Sequence, residues 1–143
     1  MSAGSDWPEL PYAAWRDSYE TLHLWTQIVG KIRLKRTPWL NHSWHVALYV
    51  TARGLTTSPI PDGVRSFQID FDFIDHTLRI EVSDGTRRQF SLSGQSVARF
   101  YAAIMAALAE LGIHIAIDEM PSELPDPIRF PEDRKHEIGR AHV

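Results

Sequence analysis

His42 and His45 stand three residues apart just before an apolar run, Val46 to Val50, that leads through Thr51 into Arg53-Gly54-Leu55-Thr56-Thr57. Imidazole nitrogens at short spacing are what a zinc site uses, but such a site needs a third and a fourth ligand. His23 is the best third candidate, and Asp70 and Asp72 could add oxygens. In an extended strand, positions three apart face opposite sides, so His42 and His45 could share an ion only if Asn41 to Ser43 form a turn. The bland alternative is a half-buried histidine beside Trp44. His23, His42 and His45 are therefore metal candidates only, and no metal or cofactor is assigned.

Asp70 and Asp72 share one face of a strand, roughly 7 Å apart, a separation that suits an acid and base pair in glycoside hydrolysis. Arg79 and Glu81 fall on the same face of the next strand if the hairpin is regular. Cross-strand pairing then explains the acidic stripe without catalysis. Arg53 to Ser58 lacks the glycine spacing and the lysine of a phosphate loop. It still offers an arginine, amides near a glycine and three hydroxyls, which could hold a carboxylate or phosphate. No nucleophile elbow supports serine chemistry, and Ser43 beside His42 is adjacency alone.

The elements that must position these residues follow from periodicity. Trp15, Tyr19, Leu22, Trp25, Val29 and Ile32 recur every three to four residues from about Ala14, which predicts a helix with Arg16, Glu20, His23, Gln27 and Lys31 on a polar face. Trp44 to Thr51 alternates as a strand, and Ser58 to Gly63 reads as loop. Phe67, Ile69, Phe71 and Phe73 alternate with Gln68, Asp70 and Asp72, the clearest strand. Leu78, Ile80 and Val82 follow, and Asp84-Gly85 signals a hairpin into a strand over 87–92. Ser93 reads as the N-cap of a helix reaching Leu111, Gly112 as its stop, and Ile113, Ile115 and Ile117 as a last strand. The expected fold is α+β: a two-layer, mainly antiparallel sheet of about five strands with two long helices, in the order α-β-β-β-β-α-β. The expected organisation is an irregular lead-in over 1–13, one domain over 14–117 and a proline-rich acidic arm over 118–136.

The chain has 143 residues, 43% hydrophobic and 23% charged, with a formal net charge of −3 and no cysteine. That is ordinary for one soluble domain. It excludes disulfides and thiolate chemistry, and it offers little attraction for a phosphate backbone, so no nucleic-acid partner is expected. No apolar run reaches spanning length, and no membrane partner is expected. A reducing cytoplasm fits the absence of cysteine. All five tryptophans fall within the first 44 residues, an aromatic wall that serves as core, pocket or interface.

Trp7-Pro8-Glu9-Leu10-Pro11, Thr21-Leu22-His23, Thr26 to Lys31, Asn41-His42-Ser43-Trp44, Leu48 to Thr57 and Phe71 to His76 together resemble the signature of an uncharacterised bacterial family, domain of unknown function 5996. The resemblance covers about residues 7–136. It implies His23, Gln27, Lys31, Asn41, His42, Arg53, Thr56, Thr57, Asp72 and His76 as family-like polar residues, but no activity. It also implies a longer protein of which this chain is the front part. Glu137 to Val143 resembles a translated sequencing adapter from a metagenomic assembly, so residues 137–143 are expected to be non-native.

The function expected first is a small-ligand-binding or interaction module. Its polar cleft would lie between helix one and the ends of the first strand, built from Lys31, Asn41, His42, Arg53, Thr56 and Thr57, and would take a small polar or anionic ligand. One alternative is an enzyme, a metal-assisted hydrolase using His23 and His42 with Asp72. Another is half of a larger protein, whose site needs a missing C-terminal region or self-association and which exposes an apolar patch near Ile113 to Phe130.

Overall fold

The computed structural model describes residues 12–36, 48–122 and 126–138, with side chains from Arg16 onward in the first of these. The lead-in, the start of the first expected strand, and Asn41, His42 and His45 lie outside the described residues, as do the side chains of every tryptophan except Trp25.

Alternation builds the centre of the sheet. Strands β4 (Arg65–Asp72) and β5 (Thr77–Val82) pair antiparallel, setting Phe67 opposite Val82, Ile69 opposite Ile80 and Phe71 opposite Leu78. All six are buried, so one face of this hairpin is continuous core. A turn at Asp84-Gly85 leads to β6 (Arg87–Ser91). Gly85 has φ +93°, and the Asp84 carboxylate accepts from the Thr86 amide at 3.0 Å and its hydroxyl at 2.6 Å.

The other edge of β4 corrects one expectation. Within the stretch Ser58 to Gly63, expected as loop, Ile60–Asp62 forms strand β3 and pairs with 65–67, while β2 (Gly54–Thr56) pairs with 70–72. Thr57 bridges them from inside. Its amide donates to Ile69 O, its hydroxyl accepts from Ile69 N at 3.1 Å, and the same hydroxyl donates to Ser58 O. Ser58 then turns the chain at φ +59°. A side chain that completes a backbone ladder leaves no periodic trace, which is why this stretch reads as loop. Strand β1 (Tyr49–Val50) extends the sheet by pairing with β2, giving the order β1-β2-β4-β5-β6 with β3 also on β4.

Two helices cover one face of this antiparallel sheet, and the fold is the expected two-layer α+β architecture in the expected order of helices and strands. Helix α1 (Tyr12–Arg36) buries Leu24, Trp25, Ile28, Val29 and Ile32, a stripe rotated from the expected one, and Tyr19 is 62% exposed. Helix α2 (Val97–Glu110) begins three residues later than Ser93 suggests. Ser96 is its N-cap and accepts from Arg99 N at 3.2 Å, because Gly94 (φ +70°) turns the chain first. Trp25 stacks on Phe100 at 5.0 Å between ring centres, and Phe100 stacks on Phe71 at 5.9 Å, which ties both helices to β4.

Residues 113–117 keep their alternation and bury Ile113 but form no strand. The chain beyond them lies along both helices. Phe130 is buried against Tyr101, and the Phe130 amide donates to Glu119 O. The amides of Val97 and Ala98, which no turn of α2 can satisfy, donate to His136 O and Asp133 O at 3.0 and 2.8 Å. Strand β7 (Gln95–Ser96) pairs with β8 (Glu137–Ile138), and Ile138 is buried. The apolar patch expected near Ile113 to Phe130 is not seen among the described residues. Ile113 and Phe130 are core, and among the described residues of this stretch Met120 is the one large apolar side chain that is exposed. No described helix is long and apolar enough to cross a membrane.

Candidate functional site

Gly54 sets the geometry at the β1–β2 end of the sheet. A Cβ there would meet the Phe71 carbonyl oxygen at 2.1 Å, so only glycine lets β2 lie this close to β4. Thr51 shapes the turn before it, its hydroxyl accepting from the amides of Arg53 and Gly54 at 3.2 and 3.0 Å. The close approach lays Arg53 across the end of β4. Its Nε donates to Asp72 Oδ2 at 2.7 Å, and its Nη2 lies 2.9 Å from Asp75 Oδ2.

Asp72 is buried and fully engaged. Arg79 approaches the same Oδ2 at 3.4 Å, while Oδ1 accepts from the amides of Ile74 and Asp75, each at 2.9 Å. The bond from Arg53, then the turn amides, hold the Asp72 carboxyl far below the usual carboxylate range, outweighing the opposing effect of desolvation. An acid this firmly ionised is a poor proton donor and a weak base; it serves as a fixed anion. Asp70 sits opposite Arg79 in the register and accepts from Gln68 Nε2 at 3.0 Å. The two aspartates thus have the cross-strand counter-charge that the regular hairpin predicts.

These groups line a concavity of about 290 Å³ on the outer face of the sheet, walled by Thr51, Arg53, Thr56, Gln68, Asp70, Asp72 and Arg79 over a floor at Phe71. Of the residues singled out in the sequence, Arg53, Thr56 and Asp72 meet here. Thr57 does not line it; its hydroxyl is held inside the sheet edge. Arg53 keeps about half its side-chain surface, 49%, open to solvent. Two guanidinium groups and two carboxylates make the walls charge-balanced, able to meet a ligand that carries both an anionic group and hydrogen-bond donors.

The polar stripe of α1 is placed elsewhere. Gln27 Nε2 donates to Ser122 O at 2.9 Å and reaches His23 Nε2 at 3.1 Å, and its Oε1 accepts from Ser122 N at 2.8 Å. Lys31 Nζ donates to Met120 O at 2.6 Å, lies 3.4 Å from Asp118 and stands over the Phe130 ring. Gln27 and Lys31 therefore hold the segment 118–122, with the His23 ring hydrogen-bonded, among the described residues, to Gln27 alone. The wall that α1 was expected to give the ligand cleft faces this strap.

A further cluster was missed in the sequence. His136 Nδ1 lies 2.7 Å from Asp133 Oδ2, and its Nε2 lies 3.3 Å from Glu20 Oε2. Asp17 joins them, one ligand atom from each of Asp17, Glu20 and His136 falling within 4.8 Å of the others. The available signals were the three-residue spacings of Asp17 with Glu20 and of Asp133 with His136. Neither spacing says that the two pairs meet.

The model of a family described as "Family of unknown function (DUF5996)" matches residues 7–141 of the chain. No curated protein and no solved structure matches it.

Proposed function

Because the chain belongs to the DUF5996 family of unknown function, we propose a function from its own geometry: a binding domain that takes a small polar ligand on the outer face of its sheet. The observation that carries this reading is the convergence of Arg53 and Arg79 on one oxygen of buried Asp72 at the wall of the 290 Å³ concavity. Asp72 and the turn amides fix the direction of both guanidinium groups, so little side-chain entropy remains to be lost when an anion arrives. Asp70 and Thr56 add an acceptor and a hydroxyl beside them. A carboxylate or phosphate bearing an amide, amine or hydroxyl satisfies both sets of groups.

The test is a titration of the isotopically labelled full chain with small dicarboxylates, inorganic phosphate and amide-bearing α-amino acids, followed by NMR. Saturable shifts should gather on the amides of residues 51–56, 68–72 and 79. Arg79→Gln should weaken binding about tenfold or more, the loss of one charge-assisted hydrogen bond. Arg88→Gln, on β6 with its guanidinium turned to Glu110 of α2, should leave it unchanged. Shifts that persist in a double Arg53→Gln, Arg79→Gln variant, or no saturable shift from any of these ligands, would overturn the proposal.

A further inference from the structure

We infer that Asp17, Glu20 and His136 form a binding site for a divalent transition-metal ion such as zinc or manganese, with Asp133 as the residue that positions the imidazole. Asp17 and Glu20 are three apart on α1 and so share one face of the helix. His136 comes from the far end of the chain, anchored beside them by its own carbonyl on Val97 N and by the β7–β8 pairing that follows.

The state of the ring is set by a residue that is not among the three ligands. Asp133 is 1% exposed. Its Oδ1 accepts from the amides of Lys135 and His136 at 3.1 and 3.0 Å, which leaves Oδ2 to face His136 Nδ1 at 2.7 Å. A carboxylate only accepts, so the proton of a neutral ring sits on Nδ1 and the lone pair sits on Nε2. Glu20 Oε2 lies 3.3 Å from that nitrogen. Arg16 approaches the other oxygen of Glu20, Oε1, at 4.0 Å, so Oε2 is left toward the ring.

Three electron-pair donors thus face one another within 4.8 Å, with a buried carboxylate behind the imidazole. Metal sites use this same carboxylate–histidine arrangement to fix the tautomer and raise the basicity of the ligand nitrogen. One imidazole with two carboxylates suits zinc or manganese, with water completing the shell. Calcium and magnesium prefer shells made wholly of oxygen. The competing source of positive charge is a second ring proton, which would make the cluster an ion triad with no ion bound.

The experiment uses the untagged full chain, stripped with chelator, and titrates it with zinc by calorimetry and with cobalt by visible absorption. The expected result is saturable one-to-one binding in the micromolar range or tighter, with d–d bands in the cobalt form. Asp17→Asn and His136→Gln should each weaken binding more than tenfold. Asp133→Asn should weaken it about 10–100-fold and shift the cobalt bands, as loss of an orienting carboxylate does. His114→Gln should change neither, which separates this site from incidental binding by any of the seven histidines. If His136→Gln fails to fold, Asp17→Asn decides, since that carboxylate makes no hydrogen bond among the described residues beyond the cluster. No saturable binding, or affinity unchanged in folded Asp17→Asn, would overturn the inference and identify the cluster as an ion triad.

Discussion

Gln27 and Ser122 close a two-bond ring between a helix side chain and a distant backbone, the amide donating at 2.9 Å and accepting at 2.8 Å across 95 residues of sequence. Together with Lys31 on the Met120 carbonyl, this pair fastens residues 118–122 to α1. The polar stripe of the helix therefore acts as a strap anchor.

Removing the anchor should loosen the strap before it loosens the fold. Gln27→Ala should lower stability by about 1–2 kcal/mol, two partly exposed hydrogen bonds. It should also speed hydrogen exchange at the Ser122 amide and open 118–122 to proteolysis, while the amides of β4 and β5 stay protected. Exchange rates at Ser122 that match the parent chain would show that the ring does not hold this segment.

At Gly54 a single methyl should reach the concavity. Gly54→Ala drives a Cβ into the Phe71 carbonyl, so β2 must move off β4. Overpacking of this kind costs roughly 1–3 kcal/mol. The larger effect should fall on Arg53, whose 2.7 Å bond to Asp72 depends on that approach. Chemical shifts of the 53–56 and 70–72 amides should change together. If they stay in place while stability falls, the glycine has no part in positioning Arg53.

Acid titration should report on Asp72. Its carboxyl is held below the usual range, chiefly by Arg53, whereas in the unfolded chain it titrates near 4. Below that unfolded value the unfolded state takes up a proton that the folded state refuses, so stability falls with pH. The contribution is complete above about pH 5 and is lost progressively as pH drops through 4 toward the folded value. Asp72→Asn should be less stable at neutral pH and should show a shallower loss of urea midpoint between pH 5 and 2. Some slope should remain from Asp84, lowered by Thr86, and from Asp118, lowered by the Met120 amide and Lys31. An unchanged slope would mean that the Arg53 bond does not persist in solution.

The centre of the fold was legible in the sequence because its signals are local. Phe67 to Phe73 and Leu78 to Val82 announce a two-faced hairpin by alternation, and Asp84-Gly85 announces its turn. That register also placed Arg79 beside the aspartates. What could not be read depends on partners far along the chain. Ser93 is as good a cap as Ser96 until β8 pairs with Gln95 and the carbonyls of Asp133 and His136 receive the first amides of α2. Gln27 and Lys31 look like ligand-binding groups on an open helix face because nothing near them in sequence shows that 118–122 lies over that face. Thr57 reads as a free hydroxyl because its bond to Ile69 crosses strands. Of the candidate site, the Arg53, Thr56 and Asp72 grouping was foreseeable as residue types, and their meeting over Phe71 was not.

The strap also orders events in time. Helix α1 leaves the ribosome before the sheet, and Ser122 follows Gln27 by 95 residues. At roughly 5–20 residues per second, that interval is about 5–20 s. Throughout it the helix has neither its strap nor, for the first part, the sheet that covers Trp25 and Ile28. A nascent chain in this window shows an apolar helical face to whatever passes, so a chaperone that reads such faces has seconds in which to engage it.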